Sequence, residues 1–337
     1  MAEAFLRLSK EDRSAILNDA ATKIGLAAHV LEKDVWVSWS LQQLFQLKDH
    51  TMVFKGGTTL SKVFGVIHRF SEDLDITIDY RSLGLSFDPL EVGLSKSKIE
   101  KASEFFRTAV REYVHSRVAP HFESQVASEF GSTVCRIQVN ENGEELRVHY
   151  PTALDASANG YVPHSVLLEF GGRNITEPNE EREVRPYLSV EESLKTLTFP
   201  IAHVPVLSPH RTFWEKATLM HVECMRADAR PKYDRYSRHW YDVFMLVEHA
   251  IGVEALARRE ILESVVAHKR VFFRANYDGC LTGSFRLVPK DAILERLRVD
   301  FESMRAAGMF VGEPASFQAI VDRLRSLEDD INAVTRS

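Results

Sequence analysis

The sequence predicts an α+β protein, with a sheet flanked by helices over residues 1–204 and a mostly α-helical region over 205–337. Three observations predict this. Residues 52–79 read as strand, glycine bend, helix and second strand in immediate succession. Residues 134–200 carry short β-branched runs separated by turn residues. From Pro205 onward, apolar residues recur at the spacing of helices.

The unit at 52–79 organises the rest. The apolar run Met52, Val53, Phe54 stops at Gly56-Gly57. Thr58 starts a segment with Leu60, Val63, Phe64 and Ile67 on one helical stripe. The run Asp73 to Ile78 then alternates with period two, so Asp73 and Asp75 share one face and Leu74, Ile76 and Ile78 the other. Two adjacent carboxylates disfavour each other's ionisation, a conflict that a divalent cation removes. A bend without Cβ atoms admits close backbone approach, and a helix start suits an anion. Each half alone reads as an ordinary turn or a solvated strand end. Together, in this order, they predict a site for metal and phosphate.

The string KGGTTL…RFSEDLDITID, with Gly57-Thr58 followed by Asp73-x-Asp75, resembles the signature of the DNA polymerase β-like nucleotidyltransferase superfamily. More closely, it resembles the AbiEii/AbiGii-type nucleotidyltransferase toxins of bacterial type IV toxin–antitoxin systems. Thr58 stands where the wider superfamily often has Ser, and the hydroxyl is kept. The resemblance implies a polymerase β-like core with a mixed sheet over 1–204, followed by a helical domain over 205–337, with the active site between the two regions.

Composition sets bounds on this. The chain has 337 residues, 45% hydrophobic and 27% charged, enough for one large or two ordinary domains. A net charge of −6 gives no support for a protein that coats nucleic acid generally. No compact recognition-helix motif lies beside a basic stripe, which argues against a DNA-binding module. Cys135, Cys224 and Cys280 are far apart and odd in number, so neither a disulfide framework nor a structural zinc site is indicated. With no signal peptide and no apolar run long enough to span a bilayer, the expected location is the cytoplasm, with no membrane partner.

Taken in order, residues 9–24 read as a helix with Ser9 as N-cap, and 27–47 as a second helix whose Trp36 and Trp39 belong to the core. Glu32 to Val37 also resembles a segment of the toxin family, with no chemistry assigned. After a loop at 80–95, a charged helix runs from about Lys96 to Phe130 with a break at Pro120. Its Lys96, Lys98, Lys101, Arg107, Arg111 and Arg117 form either a solvated face paired with acids or a substrate-facing surface. Candidate strands are 134–140, 146–150, 165–170 and 193–199, with a hairpin turn at Asn142-Gly143. Glu169 sits inside the apolar run 165–170 and needs a partner. It is a third metal carboxylate, as the nucleotidyltransferase fold implies, or a salt-bridge partner of Arg173, or a strand-end acid.

Thr212 to Glu215 has a capping-box pattern and predicts a helix start. A further helix carries Ser237 to Leu246, and three more span 253–269, 290–307 and 315–333. Phe272, Phe273, Tyr277, Met309 and Phe310 read as core. The strings WEKATLMH and RHWYDVFML resemble the two downstream motifs of the toxin family, which carries catalytic roles onto Lys216 and Asp242. Family members often have Arg-Asp before the Tyr-Asp step, where this chain has Arg238-His239-Trp240. Read without the resemblance, Lys216 and Asp242 are an interhelical ion pair.

The expected reaction is transfer of a nucleoside monophosphate from an NTP to a hydroxyl, with release of pyrophosphate. Asp73, Asp75 and Glu169 are the expected ligands of two Mg2+ ions, or of Mn2+ in their place. Gly56, Gly57 and Thr58 are expected to hold the triphosphate, Lys216 to neutralise phosphate charge, and Asp242 to orient Lys216 or the nucleotide. Lys55 and Arg69 flank the motif and either touch phosphate or pair with Glu72. The resemblance further implies an RNA acceptor, such as a tRNA end, with growth arrest as the outcome. It also implies a neighbouring antitoxin that forms no stable complex. A transferase acting on a small molecule or a protein side chain, and a non-catalytic nucleotide-binding module, are the alternatives.

Overall fold

A computed structural model describes residues 3–69, 71, 73–91, 93–154, 164–273 and 275–336. The chain divides into two units. The first comprises Met1–Thr58, Glu72–Ser86 and Lys101–Val206; the second comprises Thr59–Ser71, Phe87–Glu100 and Leu207–Ser337.

In chain order, β1 (Glu3–Ala4), α1 (Lys10–Ile24) and α2 (Ala28–Leu44) precede β2 (Met52–Lys55), then α3 (Gly57–Lys62), which from Thr59 onward belongs to the second unit, and β3 (Asp73–Ile78). Then come α4 (Lys96–Tyr113), α5 (Ala119–Glu129), β4 (Arg136–Val139), β5 (Glu145–His149), β6 (Ser165–Gly171), β7 (Asn179–Val184), β8 (Leu197–Thr198) and β9 (Ala202–Leu207). Ser9 caps α1 as expected, its hydroxyl accepting from the Asp12 N–H. The helix after the bend is shorter than its apolar stripe implies. It ends at Lys62, and Gly65 then takes φ +63°, a turn outside helical space. Leu60 on α3 and Ile67 in the irregular chain after Lys62 are nonetheless both buried in the second unit's core.

The charged helix is not broken at Pro120. A π turn over Val114–Val118 joins α4 to α5, and Pro120 falls in the first turn of α5. Proline there has no N–H to give, and the widened turn accommodates the lost bond. The basic side chains of this stretch are solvated in part by pairing: Arg107 bonds Glu104 at 3.0 Å and Arg117 bonds Asp49 at 3.0 Å.

Seven strands form one mixed sheet in the order β4-β5-β6-β3-β2-β9-β7, with β3 at its centre. β3 runs antiparallel to β2 and parallel to β6. β5 and β4 continue as antiparallel neighbours. One face is apolar and buried: Met52, Phe54, Leu74, Ile76, Ile78, Val148, Val166, Leu168 and Phe170 all lie on it. Trp36 and Trp39 of α2 are core residues. Trp36 stacks on Tyr150 at 5.2 Å, and Trp39 meets Phe122 edge-on at 5.8 Å. The acids beside them in sequence are buried for structural reasons: Glu32 accepts from the Thr152 hydroxyl and the Ala153 N–H, and Asp34 from the Tyr187 N–H.

Two strands were not legible. β7 is almost wholly polar and exposed, so it lacks the alternation that marks a strand. β9 contains Pro205, which reads as a strand breaker; its pairing with β2 passes through Val206 opposite Phe54. The expected strand at 193–199 is instead a 3₁₀ turn over Glu192–Leu194 and the two-residue β8, paired with β1.

The second unit holds α6 (Pro209–Cys224), α7 (Arg238–Glu248), α8 (Ala250–Leu256), α9 (Arg259–Phe272), α10 (Asp291–Ala306) and α11 (Phe317–Arg336). Its core includes Trp214, Trp240, Phe285 and Phe301, each essentially fully buried. The indole N–H groups are satisfied: Trp214 donates to the Ala255 carbonyl and Trp240 to that of Leu287. Tyr277, Phe272 and Met309 are buried too. α6 begins three residues before the capping-box pattern, with Ser208 at the N-cap position and Pro209 in its first turn. Thr212 is already inside the helix, and its hydroxyl donates back to the Ser208 carbonyl.

Candidate active site

In the first unit, strand register decides which side chains meet. Lys55 pairs with Asp75, Asp75 with Glu169, and Glu169 with Glu145. Directly paired residues share a sheet face, so these four form one row across β2, β3, β6 and β5, on strands about 4.8 Å apart. Asp73 lies on the same face, opposite Leu167. All of these charged residues are half-buried, on the face opposite the apolar core.

The glycine bend touches this row. Gly56 takes φ +86°, and a Cβ on it would lie 1.9 Å from Asp75 Oδ2 and 2.8 Å from Asp75 Cγ. The Asp75 carboxylate therefore rests directly on the bare Cα, and Gly56 is required both by its backbone conformation and by the acid beside it. Gly57 opens α3. Thr58 is buried, and its hydroxyl donates to the main-chain carbonyl of Asp73 at 2.7 Å. The expected phosphate donor thus ties the bend to the acid-bearing strand.

Among the described residues, no three His, Cys, Asp or Glu side chains converge as a metal cage. Mg2+ is commonly held by one or two carboxylates together with substrate phosphates rather than by such a cage. The donor set fits that mode: hard carboxylate oxygens from Asp73 and Asp75 lie on one face, with Asp75 against the backbone bend.

In the second unit, a buried charge cluster gathers around Asp242, which is inaccessible to solvent. Arg69 grips it with two bonds, Nε to Oδ1 at 2.6 Å and a terminal nitrogen to Oδ2 at 2.8 Å. Lys216 Nζ lies 2.9 Å from Oδ2. Arg69 was expected on phosphate or paired with Glu72. Glu72 and Phe70 lie outside the described residues, and the Arg69 fork is directed at a carboxylate 173 positions along the chain. Burial alone would raise the Asp242 carboxyl, but the charges of Arg69 and Lys216 outweigh it and hold the group well below the usual carboxylate range. Burial pulls the Lys216 ammonium down from its ordinary value, against the attraction of Asp242.

Local structure fixes these groups. Asp300 on α10 accepts from the Arg235 N–H, the Ser237 N–H and the Ser237 hydroxyl, anchoring the start of α7 with a carboxylate. Fully buried Glu223 near the end of α6 accepts from Arg230 Nε at 2.8 Å and the Tyr233 hydroxyl at 2.5 Å, holding the connection from α6 to α7.

A family model described as nucleotidyl transferase AbiEii toxin, type IV TA system, matches residues 39–323. The chain belongs to the AbiEii family. It is accordingly a nucleotidyltransferase toxin of the type IV toxin–antitoxin class, with an NTP as substrate and an antitoxin as counterpart. No curated protein matches the sequence. Among solved structures the chain is similar to MenT4, a nucleotidyltransferase toxin from Mycobacterium tuberculosis H37Rv, at 17% identity and a TM-score of 0.44, with 98% of this chain and 100% of that chain covered. Among the described residues, no helix is long and apolar enough to cross a membrane.

One member of the clusters in this AbiEii chain, and one pairing within them, escape sequence reasoning. Glu145 reads as an ordinary residue of an alternating strand, and only the β5–β6 register sets it beside Glu169. The Arg69–Asp242 pair has no local signal at all, because the partners are distant in sequence.

Proposed function

We propose that this AbiEii-family enzyme transfers a nucleoside monophosphate from an NTP to the hydroxyl of an RNA end, a tRNA end among them, and so arrests growth. The observation that carries this is the contact between the Asp75 carboxylate and the bare Cα of Gly56, which brings an acid and a backbone anion site together. In the reaction, an acceptor oxygen bonds to the α-phosphorus, the bond from that phosphorus to the β-phosphate bridging oxygen breaks with its electron pair leaving on pyrophosphate, and the hydroxyl proton passes to bulk water. Mg2+ bound by Asp73 and Asp75, with Glu169 as third ligand, would supply Lewis-acid stabilisation of the attacking and leaving oxygens.

The protein's own groups do the rest. Gly56 and Gly57 allow the backbone to approach phosphate without side-chain obstruction. Thr58 holds Asp73 in register with the bend through its hydroxyl. Lys55 stands beside Asp75 in the row and balances its charge. Lys216 neutralises phosphate charge as it builds toward the transition state, where such a group is most effective. Asp242 orients that ammonium and is itself held by Arg69. An RNA acceptor, and an antitoxin that acts without a stable complex, complete the proposal; family membership supports both readings.

The test is label transfer from α-phosphate-labelled NTP into total RNA or total protein. Asp73→Ala and Asp75→Ala are each expected to abolish transfer and relieve toxicity while the fold, read by circular dichroism, is kept. Retained transfer by either variant refutes the metal role, and label in protein rather than RNA refutes the acceptor.

A further inference from the structure

The glycine bend and the metal acids give the reaction a direction across the sheet. With the triphosphate tail at Gly56, Gly57 and Thr58, the leaving group lies at the end of β2, and the acids stand on the next strand, β3. Attacking and leaving oxygens lie roughly in line on opposite sides of the phosphorus. Pyrophosphate therefore departs on the β2 side, and the acceptor enters from the other side, over β6, β5 and β4.

Strand register shows what lies there. Asp73 pairs with Leu167, Leu167 with Arg147, and Arg147 with Gln138. Arg147 is thus on the acid-bearing face, two strands and about 10 Å of backbone from Asp73. His149 and Arg136, paired with each other, continue that face. Arg136 and Gln138 are exposed, on the strand that ends the sheet, and the Arg147 side chain is 39% exposed. Arg147 has a loose ion pair with Glu145 at 3.6 Å, too long for a hydrogen bond. Among the described residues Arg136 meets no carboxylate; one of its terminal nitrogens lies 3.3 Å from His149 Nε2. Burial, and then the charges of Arg136 and Arg147, hold the His149 imidazole below its ordinary value. Both guanidiniums therefore act on one part of the face.

We propose that Arg147 and Arg136 bind the phosphodiester backbone of the acceptor RNA and lay its end across β5 and β4 toward the metal acids. Arginine presents a planar fork that matches phosphate oxygens in pairs. The inference deepens the reading of an RNA acceptor, and rests on it and on Asp73 and Asp75 as metal ligands.

Fluorescence anisotropy of labelled bulk tRNA with the full-length protein, over a series of salt concentrations, reads the contact. The double variant Arg136→Ala/Arg147→Ala is expected to bind about tenfold or more weakly. The slope of log affinity against log salt is expected to become shallower by about 1.4, from two single-strand phosphate contacts at about 0.7 each. In label transfer its KM for tRNA is expected to rise by a similar factor, while the KM for NTP stays within about twofold. Arg136→Lys/Arg147→Lys keeps the charges and is expected to keep the parent's slope. Unchanged tRNA affinity in the alanine variant overturns the proposal and leaves the arginines as charges that guard a sheet edge. Weaker binding with the parent's slope overturns it too. Arg136→Gln/Arg147→Gln repeats the test if circular dichroism shows that the alanine variant does not fold. A parent that transfers no label to RNA refutes the acceptor reading, and this inference with it. Transfer by the parent with equal binding by the double variant refutes only the role of the arginines.

Discussion

Replacing Asp242 by Asn tests the buried cluster most directly. The substitution keeps the shape and removes the buried charge that Arg69 and Lys216 share. In the parent, both carboxylate oxygens are used: Arg69 at 2.6 and 2.8 Å and Lys216 at 2.9 Å, with Asp242 wholly inaccessible. Removing one partner of a buried ion pair leaves an uncompensated charge and costs about 3–5 kcal/mol. Urea unfolding followed by circular dichroism is expected to show a loss of that size. Lys216→Met added to Asp242→Asn removes a cation that faced the lost charge, so the double variant is expected to lose at least about 1 kcal/mol less than the sum of the two single losses. The pH dependence follows from the depressed carboxyl of Asp242. Its stabilisation is fully present above the unfolded value near 3.8 and is lost as pH falls through the lower folded value, because the unfolded chain binds the proton first. The gap between parent and variant is therefore expected to hold from neutrality to about pH 4 and to narrow only below it. A loss under about 1 kcal/mol at neutral pH, or a gap that closes well above pH 4, would refute the charge argument.

Substitutions at three positions address the rest of the machinery. Gly56→Ala forces a Cβ into the Asp75 carboxylate and places alanine at φ +86°; it is expected to abolish label transfer and to cost about 1–3 kcal/mol in urea unfolding. Thr58→Val removes the part-buried bond to the Asp73 carbonyl and is expected to cost about 0.5–1.5 kcal/mol, whereas Thr58→Ser keeps the bond and most of the stability; equal losses would mean that the hydroxyl is not the structural group. Lys216→Ala leaves Arg69 and Asp242 as a balanced pair, so turnover is expected to fall by about 10²–10³ while melting temperature changes far less than in Asp242→Asn. A Lys216→Ala protein that melts as early as Asp242→Asn with normal specific activity would make the lysine structural.

Sequence alone determined the local pieces. The run from Met52 to Ile78 shows its strand, bend, helix start and second strand because each depends on neighbours a few residues apart: alternation for β3, glycine for the bend, and the side-chain oxygen of Ser9 for the start of α1. It also placed Asp73 and Asp75 on one face, since that needs only the period of a strand. Where local signals were weak or misleading, local reasoning failed. β7 carries no apolar alternation, β9 contains a proline, and α6 starts at a Ser-Pro step rather than at the capping-box pattern downstream. Only the tertiary structure decided which charges meet. Glu145 joins Asp75 and Glu169 through the register of three strands, and Arg69 finds Asp242 across 173 residues. The difference is physical: backbone conformation is governed by sterics and hydrogen bonds within a few residues, whereas the partner of a buried charge is fixed by the packing of segments that the sequence leaves far apart.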